Sequence, residues 1–198
     1  NGNKNAAITS FDKISKERPR SPFARKSLMK IGMIYYNNNE NDKALENLKA
    51  VVAQYPNTEE SREALNIISN IYRENNEIQK YFDYIAENNL GEISIDKQDS
   101  LTFKNVEDFY LDKKYKETIK GAEQYIEKHP KGAHLLDVHY YAMKSKEMTN
   151  ETDSIRTHIE YIINCPDNDY TDNALLLAAR MDYDESNYAA SAEHYERL

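Results

Sequence analysis

One pattern occurs in four segments of the chain: AITSFDKISKERP (7–19), ALENLKAVVAQYP (44–56), TIKGAEQYIEKHP (118–130) and SIRTHIEYIINCP (154–166). Each segment begins with a small residue and reaches proline twelve residues later. The fourth and seventh residues after the first, such as Leu48 and Val51, share one face of a helix. Because proline removes an N–H donor and its ring clashes with the preceding turn, we predict four helices that each end at the proline.

The same spacing extends to two further segments that lack the proline, YFDYIAEN from Tyr81 and SAEHYERL from Ser191. The six segments begin at residues 7, 44, 81, 118, 154 and 191, so the steps are 36 or 37 residues. A period of this size is typical of stacked supersecondary units, each of which stabilises its neighbour. The sequence therefore predicts a helical-repeat protein.

A second helix precedes the repeated helix in each unit. The clearest example runs to Tyr36 after Ser21, a favoured N-cap residue, and Pro22, which suits the first helical position. We predict that the corresponding helix of the next unit follows a cap at Thr58, and that the third follows Asp99. The prediction is an all-α chain with one N-terminal helix and five helical hairpins.

One stretch interrupts the pattern between the second and third units. Residues 90–96, LGEISID, alternate apolar and polar side chains where a proline is expected. Such alternation fits either a short strand or an extended linker. We favour a linker.

Composition and charge exclude several classes of function. The 198 residues are 39% hydrophobic and 30% charged, and no apolar run is long enough to insert into a membrane. The net charge of −8 disfavours a nucleic-acid partner, which needs a basic face. Residues 1–58 carry 10 Lys and Arg against 5 Asp and Glu, which we interpret as a solvated face. The single cysteine, Cys165, excludes an internal disulfide.

No motif in the sequence indicates an enzyme. The chain has no glycine-rich phosphate loop, no metalloprotease histidine pair and no nucleophile elbow. His129, His134 and His139 are spaced by five residues, and this spacing does not keep three side chains on one helix face. We therefore predict a non-enzymatic protein without a metal or other cofactor.

The repeated residues resemble the tetratricopeptide repeat. In residues 21–57 the signature positions are Leu28, Ile31, Gly32, Tyr35, Ala44, Leu48, Val51 and Pro56. The resemblance implies a right-handed α–α superhelix, a solenoid in which small residues let helices approach closely. We expect one such domain over residues 1–198, with units at about 1–20 (a half repeat), 21–57, 58–95, 96–131, 132–167 and 168–198. Both ends stop inside a helical pattern, so we expect a segment of a longer protein.

The resemblance also implies a protein-binding groove, because the first helices of such hairpins line the concave side. Carried onto this sequence, the groove residues are Met33, Tyr36, Asn66, Asn70, Arg73, Phe103, Tyr110 and His139. Amide side chains can hydrogen-bond a peptide backbone, and aromatic rings are frequent anchors at interfaces. We expect a scaffold that binds a peptide or protein segment. The alternative is a structural spacer or self-association arm.

The extended period and the phrase VVAQYPNT (51–58) resemble tetratricopeptide-repeat proteins of the bacterial cell envelope. These include outer-membrane assembly lipoproteins and the periplasmic partner of the Tol–Pal system. The resemblance implies a periplasmic or outer-membrane-associated protein, with a cytoplasmic location as the alternative. The sequence does not name the partner.

Overall fold

The chain folds into antiparallel helical hairpins. We describe residues 2–166 and 168–198 of a computed structural model, and this part of the chain contains eleven α-helices and no β-strand. The all-α class is therefore confirmed, as is the arrangement of one leading helix and five hairpins. The helices form two compact units, the N-terminal unit up to Asn88 and the C-terminal unit from Asn89. A single continuous solenoid remains a prediction.

The N-terminal unit contains five helices, in which each helix packs against the next. They are α1 (Gly2–Glu17), α2 (Pro22–Tyr36), α3 (Asn41–Gln54), α4 (Glu59–Glu74) and α5 (Ile78–Glu87). Helices α2 and α4 also contact each other. The first helices of two successive hairpins therefore lie side by side in this unit.

The C-terminal unit contains six helices with the same sequential packing. They are α6 (Ile95–Leu111), α7 (Tyr115–Lys128), α8 (Leu135–Thr149), α9 (Ile155–Asn164), α10 (Thr171–Asp184) and α11 (Tyr188–Glu196). Helices α6 and α8 also contact each other. No helix in the described ranges is both long enough and apolar enough to cross a membrane.

In three of the hairpins the first helix begins after a residue whose side chain caps it; these helices are α2, α4 and α6. Two of the three predicted caps are confirmed. Ser21 Oγ accepts a hydrogen bond from the Ala24 amide at 3.1 Å, and Thr58 Oγ1 accepts one from Ser61 at 3.2 Å. The third prediction was wrong, because α6 begins at Ile95 after the cap Ser94. Asp99 lies within α6, and its carboxylate accepts hydrogen bonds from residues that are distant in sequence.

The four prolines end their helices as predicted. Helices α1, α3, α7 and α9 each end two residues before Pro19, Pro56, Pro130 and Pro166. The missing N–H and the ring of proline prevent another helical turn. Residues 90–94 have no regular structure, so the linker prediction is confirmed for these five residues and the strand alternative is wrong; Ile95 and Asp96, which were included in the predicted linker, begin α6.

Gly32 allows α2 and α3 to approach closely. A Cβ atom added at Gly32 would lie 2.7 Å from Leu48 Cδ2 and 2.8 Å from Leu48 Cγ. Leu48 is fully buried and has little room to move away. The small residue that the repeat signature requires is therefore explained by this contact.

We predict that Gly32→Ala lowers the free energy of unfolding by about 2 kcal/mol, because an extra methyl group overpacks a tight core. Urea unfolding followed by circular dichroism measures the change. Leu48→Ala alone should cost about 2–5 kcal/mol, but the double variant should lose less than the sum of the two single losses, since the smaller side chain makes space for the new methyl group. Strictly additive effects of the two substitutions would contradict the contact.

Candidate functional site

The N-terminal unit has a groove between α2 and α4. A cavity of about 320 Å³ is lined by Lys26, Met29, Lys30 and Met33 of α2 and by Glu59, Glu60 and Glu63 of α4. Met29 is 2% exposed, whereas Met33 is half-buried, so thioether side chains form the apolar part of the lining. Basic residues come from α2 and acidic residues from α4. The groove therefore has an apolar lining and two helices that carry opposite charges.

A buried ion pair joins the two helices beside this cavity. The Arg25 Nε atom lies 3.0 Å from Glu60 Oε2, and Glu60 is only 7% exposed. Burial alone would raise the pKa of Glu60, but its own backbone amide, Arg25 and Lys26 together lower the pKa below its usual value. Glu60 is therefore a structural carboxylate that ties α2 to α4.

Five of the eight predicted groove residues lie on these two helices. Met33 and Tyr36 are half-buried on α2; Asn66 on α4 is exposed, and Asn70 and Arg73 are half-buried. The α4 residues continue the helix face of Glu63, since they follow at steps of three and four. This face of α4, from Glu59 to Arg73, is called the α4 row.

Tyr36 connects the far end of α2 to α4. Its hydroxyl group donates a hydrogen bond to Glu74 Oε1 at 2.7 Å. Burial, followed by the hydrogen bond and the charge of Glu74, raises the pKa of Tyr36 to about 12. The phenol therefore stays protonated at physiological pH and holds the two helices together at this end.

Aromatic rings pack between the helices of the C-terminal unit. Phe103 stacks on His134 with ring centroids 3.9 Å apart, and Tyr110 stacks on Tyr141 at 4.4 Å. A third stack joins Tyr140 to Tyr170 at 4.0 Å. We call these six residues the aromatic ladder. The faces of Phe103 and Tyr110 contact neighbouring rings, so their use as partner anchors remains a prediction.

A buried hydrogen-bond network holds His134 in the ladder. The Asp99 carboxylate accepts hydrogen bonds from the Tyr125 hydroxyl and from the Ala133 amide, the latter at 2.9 Å. The Tyr125 oxygen accepts in turn from the His134 amide at 3.1 Å. These bonds fix the loop between α7 and α8 against α6. The two hydrogen bonds to Asp99 connect residues 26 and 34 positions apart in the chain, which no local pattern reveals.

The eighth predicted groove residue, His139, lies between helices. It is 5% exposed, and its ring stacks on Tyr161 of α9 with centroids 3.8 Å apart. Met143 follows one turn later on the same side of α8 and is fully buried. This side of α8 therefore packs against α9 and α10.

Sequence analysis did not single out four members of the aromatic ladder as site residues: His134, Tyr140, Tyr141 and Tyr170. A signal was present, because Phe103 and Tyr110 are seven residues apart, as are His134 and Tyr141. Rings two helical turns apart on two adjacent helices can stack pairwise. Among the described residues, no group of three or more His, Cys, Asp or Glu side chains is arranged to hold a metal ion.

Comparison with known proteins identifies one repeat directly. Residues 26–58, which include most of α2 and all of α3, match the family model described as tetratricopeptide repeat. The chain is therefore an all-α protein in which residues 26–58 are similar to the tetratricopeptide repeat. A search of the curated proteins finds no match.

Two solved structures match the chain at low similarity. A tetratricopeptide repeat protein from Parabacteroides merdae is 16% identical, with a TM-score of 0.37, and the match covers 99% of this chain and 71% of that one. Yeast Tom70 is 13% identical, with a TM-score of 0.33, over 98% of this chain and 38% of Tom70.

Proposed function

We propose that the protein is a non-enzymatic scaffold that binds an extended segment of a partner protein in the groove between α2 and α4. The observation that carries this proposal is the cavity of about 320 Å³ next to the accessible α4 row, within and beside a tetratricopeptide repeat. Tetratricopeptide repeats in general mediate protein–protein interaction. The predicted residues on α2 and α4 supply the polar and apolar groups that such binding needs.

The lining of the groove favours a particular kind of segment. Met29 and Met33 offer a deformable apolar surface for one large apolar side chain of the partner. Asn66 and Asn70 each offer an amide donor and acceptor to a peptide backbone. Lys26 and Lys30 on α2 attract an acidic side chain, and Glu59 and Glu63 on α4 attract a basic one.

Site-specific photocrosslinking in the full-length protein tests the proposal. A benzophenone amino acid replaces Asn66 in the groove and, as a matched control, Lys80 on the exposed surface of α5. We expect a crosslinked partner segment from position 66 alone, identified by mass spectrometry. Crosslinks to a second copy of this chain would favour the self-association arm instead, and equal products from both positions would contradict a specific groove.

We expect that Asn66→Ala combined with Asn70→Ala weakens binding of the crosslinked segment about tenfold or more, because two hydrogen bonds at about 1 kcal/mol each are lost. Isothermal titration calorimetry with the synthetic segment measures the affinity. The control Lys80→Ala should leave it unchanged. An unchanged affinity in the double variant, with an unchanged circular-dichroism spectrum, would place the binding site elsewhere.

We also propose a location in the bacterial cell envelope, supported by the resemblance of the repeat period and of residues 51–58 to envelope proteins. Fractionation of native cells tests this location. Recovery of the full-length protein with periplasmic or outer-membrane markers would support it, and recovery with cytoplasmic markers would contradict it.

A further inference from the structure

Two histidine side chains meet in the interior of the C-terminal unit. His139 of α8 and His158 of α9 are each 5% exposed, and their Nδ1 atoms lie 3.1 Å apart. At this distance one imidazole donates its Nδ1–H and the other accepts with its Nδ1 lone pair. The contact therefore excludes protonation of both rings, since two imidazolium rings present only donors.

The groups around the pair do not compensate a positive charge. On α8, Lys146 is 4% exposed, and its ammonium group disfavours a proton on His158. Glu123 of α7 lies 3.4 Å from that ammonium group but is largely exposed to solvent. On α9, the uncharged ring of Tyr161 stacks on His139.

The remaining helices bring only apolar or already paired groups. From α10, Ala174, Leu177 and Ala178 join the core cluster of Met143. The α10 carboxylate Asp182 contacts Arg156 and His194, at 2.9 Å each. Helix α6 packs on the side of α8 that carries Val138 and Ala142. Neither histidine has its pKa raised by a neighbouring carboxylate.

Burial therefore lowers the pKa of both imidazoles. Loss of hydration lowers the pKa of His139 to about 4, and the same effect, with His139 and Lys146 as further causes, lowers that of His158 to about 4. An imidazole in water has a pKa near 6.5. As the pH falls from about 6.5 to 4, the two imidazoles bind protons when α8 and α9 are separated but not when the helices are in contact. Acid therefore destabilises the state in which α8 contacts α9.

We propose that the contact between α8 and α9 is an acid-sensitive latch that opens before the rest of the protein in mildly acidic solution. Opening separates His139 from His158 and exposes the apolar cluster of Met143, Ile159 and Ile162. This apolar surface is covered at neutral pH. The latch is independent of the groove between α2 and α4, because all five histidines of the sequence lie in the C-terminal unit.

Hydrogen exchange of the full chain at pH 7 and pH 5 tests the latch, after correction for the intrinsic exchange rates. Each histidine should raise the opening equilibrium roughly 20-fold between these values, because only the open form is protonated at pH 5. Amides of α9 should therefore lose protection several hundred-fold, while those of α2–α4 serve as an internal reference without histidine. Equal changes in protection for α9 and the reference would overturn the proposal.

A matched pair of variants assigns the effect to these residues. His158→Asn keeps a small polar group beside His139 but removes one titrating ring, so the pH effect on α9 should fall to roughly 20-fold. His194→Asn, which replaces a histidine outside the pair, should retain the several-hundred-fold effect. An undiminished effect in His158→Asn would overturn the proposal.

A measurement on the unmodified protein covers the case in which His158→Asn does not fold. Imidazole resonances followed by NMR should show two histidines that stay neutral until the pH approaches 4 or the unit opens. Titration of all five histidines near pH 6.5 in the folded protein would overturn the latch.

Discussion

A Gly132→Ala variant is expected to lose about 3 kcal/mol of unfolding free energy, because the loop has no room for the new methyl group. The new Cβ atom would collide with the Tyr125 hydroxyl group and lie 2.9 Å from Asp99 Oδ1. Tyr125 is fully buried and cannot turn away. Overpacking costs about 1–3 kcal/mol, and disturbing a hydrogen bond to a charged group adds about 1.5–3 kcal/mol.

Urea unfolding followed by circular dichroism checks this value. Lys131→Ala is the matched control, since the neighbouring lysine is exposed and should change stability by less than about 0.5 kcal/mol. We also expect altered aromatic resonances for Phe103, because Gly132 belongs to the loop that places His134 on that ring. A Gly132→Ala variant as stable as Lys131→Ala would show that the loop has room for a side chain.

The ends of the helices were largely predictable because they depend on local chemistry. The proline ring acts on the turn that precedes it, so four helix ends follow from the sequence alone. Asparagine supplies a second local signal at the ends of helices. A left-handed backbone occurs at Asn39, Asn57, Asn76, Asn89 and Asn150, each of which lies between helices. Asparagine adopts this conformation more readily than other non-glycine residues.

The interior partners were not predictable because they depend on contacts between distant residues. Asp99 was assigned as a cap on local grounds, since aspartate often starts a helix. Its actual partners, Tyr125 and Ala133, approach only when α7 packs against α6. His139 likewise fits a groove position by spacing, but α9 covers it with the ring of Tyr161. Helical periodicity defines a face and does not say which element lies against that face.

Met143→Ala is expected to cost about 3 kcal/mol of unfolding free energy. The size of this loss distinguishes a core position from a groove position. Met143 is fully buried and packs with Ile155, Ile159 and Ile162 of α9. Truncating a buried methionine removes apolar contacts and leaves a cavity, which costs about 2–5 kcal/mol. A groove residue at the same sequence position would be partly exposed, and its truncation would cost far less.

The same helix provides the matched control for this prediction. Met148 of α8 is 57% exposed, so Met148→Ala should change the unfolding free energy by less than about 0.5 kcal/mol. Urea unfolding of both variants, with equal m-values, compares the two sites directly. If Met143→Ala were as stable as Met148→Ala, the contact of α8 with α9 and α10 would not be a packed core. The buried histidine pair next to it would then lose the dry surroundings on which its acid sensitivity depends.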